Sequence, residues 1–138
     1  MNYRRLIFLS GLIAVLFICA GPAGAQDATA TMTVTEMAVT TRIFRGGPVD
    51  SVRRISSAST KALYCFTLIS SPDDEEREIT HVWYWNGDVA GSYTLPVKGA
   101  RWRTYSKKFI AKDMKGRWRV EAKDAEGNLL KALDFRIN

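Results

Sequence analysis

From residue 32 onward, runs of Val, Ile, Thr, Tyr, Phe and Trp alternate with polar residues and are broken at short intervals by Gly, Pro, Asn and Asp. A period of two sends successive side chains to opposite faces of a strand, whereas a helix needs an apolar residue every three to four positions. No stretch past residue 31 holds the helical period, so the pattern predicts an antiparallel all-β domain.

The predicted elements follow from the breaks. A first strand lies within Met32 to Phe44 and is stopped by Gly46-Gly47-Pro48, after which Val49 to Thr60 reads as a loop. Lys61 to Ile69 is the strongest strand, with Ala62, Tyr64, Phe66 and Leu68 on one face and Leu63, Cys65, Thr67 and Ile69 on the other; two apolar faces predict a central position. Ser70 to Glu78, with Pro72 and five acids against Arg77, is a solvated connection, and it lacks the turn glycine of a calcium loop. Ile79 to Trp85 and Val89 to Leu95 flank Asn86-Gly87, the strongest short hairpin signal, because both turn positions tolerate positive φ. Pro96 to Ala100 breaks the run before a strand over Arg101 to Lys108. Arg117 to Lys123 sends Trp118, Val120 and Ala122 inward, and a turn ending on Gly127 returns the chain through Leu129 to Ile137, with Leu133, Phe135 and Ile137 inward. The expected fold is an immunoglobulin-like antiparallel β-sandwich of about seven strands, with a small β-barrel as the alternative.

Residues 1–25 have a different pattern. Arg4 and Arg5 precede the apolar run Leu6 to Ala20, and Ala23-Gly24-Ala25 supplies small residues at the right spacing for cleavage, the layout of a secretory signal peptide. The run is shorter than the ~20 residues of a spanning helix and ends at Gly21-Pro22, so no stable membrane span is expected after cleavage. Cys19 follows bulky Ile18, which disfavours lipidation. The expected organisation is a signal peptide over 1–25, a small polar leader over 26–31 and one β-domain over 32–138, in a periplasmic or secreted protein. Cleavage leaves 18 basic and 14 acidic residues, a charge of +4 that permits attraction to an anionic lipid, glycan or cell-wall polymer but is weak for a nucleic-acid binder. Cys65 is then the only cysteine, so the domain has no internal disulfide and depends on its core.

Three landmarks in order, Ile79-Thr80-His81 with Trp83, then Arg101-Trp102-Arg103 with Tyr105-Ser106, then Gly116 through Val120, resemble the bacterial domain-of-unknown-function family number 2914. The similarity runs from about Val39 to Phe135, and Gly47-Pro48 stands where the family has a recurrent Glu-Pro. The resemblance implies an exported or membrane-tethered bacterial β-domain and carries over no catalytic residue.

Candidate chemistry is sparse. The sole His and the sole mature Cys are not at ligand spacing, so no metal site of ordinary type and no cofactor is expected. His81 with Cys65 would make a thiol dyad if their registers agreed, and His81 with Ser106 and Asp113 a triad, although no glycine-flanked serine elbow accompanies it. A small hydrolase or thiol enzyme using His81 is therefore the rival reading. Expected structural residues are His81, Trp83, Trp102 and Trp118. The richer feature is Arg101-Trp102-Arg103-Thr104-Tyr105, where a strand places Arg101, Arg103 and Tyr105 on one face. That face, with Trp85 at a hairpin tip too narrow to cover an indole, is expected to bind an anionic envelope polymer or partner protein.

Overall fold

The structure, a computed structural model, describes residues 31–138, so the expected signal peptide and nearly all of the leader lie outside the described residues. Among seven long strands and three of two residues, eight form two packed sheets and two a separate hairpin, with no helix among the described residues. The strands are β1 (Thr33–Thr40), β2 (Ile43–Phe44), β3 (Gly47–Pro48), β4 (Arg54–Ile55), β5 (Ala62–Ser70), β6 (Arg77–Trp85), β7 (Asp88–Val97), β8 (Arg101–Phe109), β9 (Gly116–Asp124) and β10 (Leu129–Ile137). One sheet has the order β1-β5-β8 and the other β4-β10-β9-β6-β7, while β2 and β3 make a separate small hairpin. The sheets do not close on each other, so the fold is an open sandwich rather than the alternative barrel.

β5 is central in its sheet, as its two apolar faces predict. Leu63, Cys65, Thr67 and Ile69 point into the sandwich and are fully buried. Phe66 and Leu68 on the outer face are also buried, because neighbouring strands lie on both sides of them. Across the interior stand Trp83, Trp118, Val120, Ala122, Phe135 and Ile137 from the second sheet. Trp118 and Phe135 stack at 5.8 Å, and Trp83 meets both rings edge-on at 6.5 and 6.2 Å.

Two predicted breaks are strand instead. Pro96 continues β7 to Val97, which is tolerated because β7 is an edge strand whose outward N–H needs no partner. Within the expected loop Val49 to Thr60, Arg54–Ile55 pairs in parallel with Arg136–Ile137, and just before it Gly47–Pro48, expected only to stop the first strand, pairs with Ile43–Phe44. Such two-residue pairings are too short to show a periodicity.

The strand directions sort the connections to two ends. Residues 71–76, 98–100 and 125–128 lie at the entry end, where β1 begins; residues 41–61, 86–87 and 110–115 lie at the far end.

Candidate functional site

Strand β8 is one of the two edges of the three-stranded sheet, and its outer face, turned away from the second sheet, is exposed. Arg101, Arg103, Tyr105, Lys107 and Phe109 alternate outward and are all exposed, whereas Trp102, Thr104 and Ser106 turn inward. Arg103 stands opposite Leu68, and Tyr105 opposite Phe66, so these two side chains also border the buried apolar pair of β5. Tyr105 meets Tyr64 edge-on at 5.9 Å and remains 48% exposed. Lys107 Nζ lies over the Tyr64 ring at 5.7 Å and over Phe109 at 4.8 Å. None of Arg101, Arg103 and Lys107 is within ion-pair distance of a carboxylate among the described residues. The row is therefore an uncompensated cationic and aromatic strip.

His81 lies in the opposite kind of environment. On β6 it points between the sheets, fully buried, with Nδ1 2.8 Å from Ser106 Oγ and Nε2 3.1 Å from Thr67 Oγ1. The indole Nε1 of Trp83 donates to Ser106 Oγ at 3.0 Å. These four side chains tie β6 to β5 and β8 across the interior, and no buried side-chain polar atom among the described residues lacks a partner. Burial lowers the His81 pKa to about 4, so the imidazole is neutral at pH 7, one ring nitrogen donating and the other accepting.

A serine and a histidine at hydrogen-bond distance satisfy one requirement of nucleophilic catalysis, but the second ring nitrogen meets a threonine hydroxyl and not a carboxylate. Asp113 sits exposed in the β8–β9 connection, away from this cluster. Both ring nitrogens of His81 are engaged by hydroxyls, so Cys65 is not its hydrogen-bond partner. Burial also raises the pKa of the Cys65 thiol, which favours the unreactive protonated form.

Trp85 departs from its expected uncovered position. It stacks on Trp118 at 6.1 Å, and its Nε1 donates to the Lys115 carbonyl at 2.7 Å. The β8–β9 connection folds against the hairpin tip and covers the ring, a non-local contact that hairpin geometry alone does not contain. In the acidic connection, Arg77 holds Asp73 through two nitrogens, one at 2.9 Å, and lowers its pKa to about 2. No group of three or more metal-ligating side chains occurs among the described residues.

Two sheets of this order packed face to face define an immunoglobulin-like β-sandwich. Residues 76–137, which are β6 to β10, match the profile of a family described as protein of unknown function, DUF2914. Strands β1 to β5 lie outside the matched stretch, which is therefore shorter than the similarity expected from Val39. The chain is also similar in structure to an immunoglobulin-like protein from Pseudomonas aeruginosa, at 11% identity over 80% of this chain and 99% of that one, with a TM-score of 0.54. A second similar structure is an alkylpurine DNA glycosylase from Pseudomonas fluorescens bound to DNA containing an abasic-site analogue, at 14% identity over 79% of this chain and a TM-score of 0.54. This chain spans only 31% of the glycosylase, and at such identities both likenesses show the fold alone. A search of curated proteins found no match.

Proposed function

We propose that this is a non-enzymatic binding domain of the bacterial cell envelope, periplasmic or secreted after removal of residues 1–25, which holds an anionic glycan, polymer or partner protein against the outer face of β8. The observation that carries this reading is the row of Arg101, Arg103 and Tyr105, exposed on an edge strand with no carboxylate among the described residues paired to either arginine. A planar guanidinium grips an acid through two parallel N–H bonds, and a neighbouring ring offers a flat face to a sugar. Turnover is less well supported, because Ser106, His81 and Cys65 are all buried and bonded or packed within the sandwich.

Titration of the protein with anionic envelope polymers and lipopolysaccharide tests the reading. Binding should weaken with salt, since the screening length falls from ~10 Å at 0.1 M to ~3 Å at 1 M. Arg103→Ala should weaken binding and flatten the salt dependence, and Arg103→Lys should recover part of it, because lysine keeps the charge but loses the fork. Duplex DNA, run alongside, should not compete. A neutral best ligand, or equal binding by the Arg101→Ala/Arg103→Ala variant, would reduce the row to a cover for Phe66 and Leu68.

A further inference from the structure

Charge is divided between the two ends of the sandwich. At the far end the β1–β5 connection carries Arg42, Arg45, Arg53, Arg54 and Lys61 against Asp50 alone, and the β8–β9 connection carries Lys112 and Lys115 against Asp113. The three entry-end connections carry five acids and one lysine. No cation of the two far-end connections is in an ion pair among the described residues. Asp50 accepts from Thr40 Oγ1 at 2.6 Å and from the Thr41 N–H at 2.8 Å, which braces the root of the β2–β3 hairpin, and its charge acts on the nearby Arg42 without forming an ion pair.

The same end exposes two phenylalanines. Phe44 is 59% exposed beside the hairpin turn, where Arg45 (φ 49°) and Gly46 (φ 75°) reverse the chain, and Phe109 is 68% exposed at the end of β8. Each ring has cations at its face: Arg42 and Arg45 lie 5.9 and 5.2 Å from the Phe44 centroid, and Lys107 lies 4.8 Å from that of Phe109. A soluble polyphosphate would neutralise the cations and leave both rings wet, since it offers them neither an apolar layer nor a sugar face. A bilayer answers both, with phosphates at the level of the cations and the acyl boundary just beneath for the rings.

We propose that the far end of the sandwich docks on an anionic phospholipid bilayer, held by the cations around Arg42 and Arg45 and entered by the rings of Phe44 and Phe109. This surface adjoins the Arg101–Arg103–Tyr105 row at Lys107 and Phe109, the far end of the same strand, but does not include Arg101 or Arg103. The acidic entry end is repelled by the same bilayer, so docking has one orientation.

Amide exchange of the full chain on vesicles tests the proposal locally, whatever residues 1–30 do, because they are common to every variant. On phosphatidylglycerol/phosphatidylcholine vesicles, amides of residues 42–49 and 107–112 should exchange severalfold more slowly than on phosphatidylcholine alone, with residues 71–76 unchanged. The protection should be lost in Arg42→Glu/Arg45→Glu and in Phe44→Ser/Phe109→Ser, with Arg42→Gln/Arg45→Gln as a second charge variant should the reversal lower the melting temperature. Arg103→Ala should keep it, which separates this surface from the proposed polymer site. Equal protection on neutral vesicles, protection by dextran sulfate but not by vesicles, or protection surviving in both the arginine and the phenylalanine variants would overturn the proposal.

Discussion

A charge on His81 would have to form between two apolar sheets, and the fold resists it by holding the pKa near 4, against about 6.5 in the unfolded chain. Between these values the unfolded state binds the extra proton, so stability is complete above pH 6.5 and falls as the pH drops towards 4. The loss from this residue should reach about 3 kcal/mol and then level off. Thermal melting across that range should show the decline, and His81→Gln, though less stable at pH 7, should flatten it; an unchanged slope would show that other groups cause it. Cys65 is the apolar counterpart. Its removal as Cys65→Ala should cost about 1–2 kcal/mol from lost volume. Peptide mapping after brief treatment of the native protein with a thiol reagent should find Cys65 unlabelled, and rapid labelling there would contradict its burial. For Cys65 the face shared with Leu63, Thr67 and Ile69 was legible from strand alternation, whereas for His81 the sequence left the side open. The partners of His81 were not legible, since Thr67 and Ser106 come from two other strands and the choice depends on inter-strand register.

Among the elements, the β6–β7 turn does more than reverse the chain. Asn86 (φ 48°) and Gly87 (φ 91°) take the left-handed conformations that their sequence predicts. The Asn86 side chain also accepts from the Arg117 N–H at 3.0 Å, fastening the turn to the start of β9. Gly116 makes room for it: a Cβ there would lie 2.4 Å from Asn86 Oδ1, on a backbone already at φ 122°. Gly116→Ala should therefore combine backbone strain with a lost hydrogen bond and cost about 2–4 kcal/mol, measurable as a lower urea midpoint. An unchanged midpoint would mean that Asn86 contributes nothing to the clasp. The long strands were legible because each combines alternation with a definite break. The parallel pairing of β4, the continuation of β7 through Pro96 and the covering of Trp85 were not, since each is decided by a segment distant in sequence.

At the scale of the whole molecule, the ladder of β1 on β5 runs the length of the sandwich and pairs seven positions of β1. Eight strand residues span about 27 Å, so the start of β1 lies roughly that far from its end beside Arg42. A load applied between the start of β1 and Ala62, where β5 starts at the far end, would run along β1 and not across it. Its hydrogen bonds to β5 would then share the force and have to break together, whereas a load across the strand would unzip them one by one. Single-molecule pulling from residue 31 against an anchor at Ala62 of β5 should accordingly need a higher rupture force than pulling β1 outward from its middle. Equal forces in the two geometries would show that the ladder is not what resists. Whatever the domain joins, its first strand is placed to work as a tensile member, stiff along the line between its attachments.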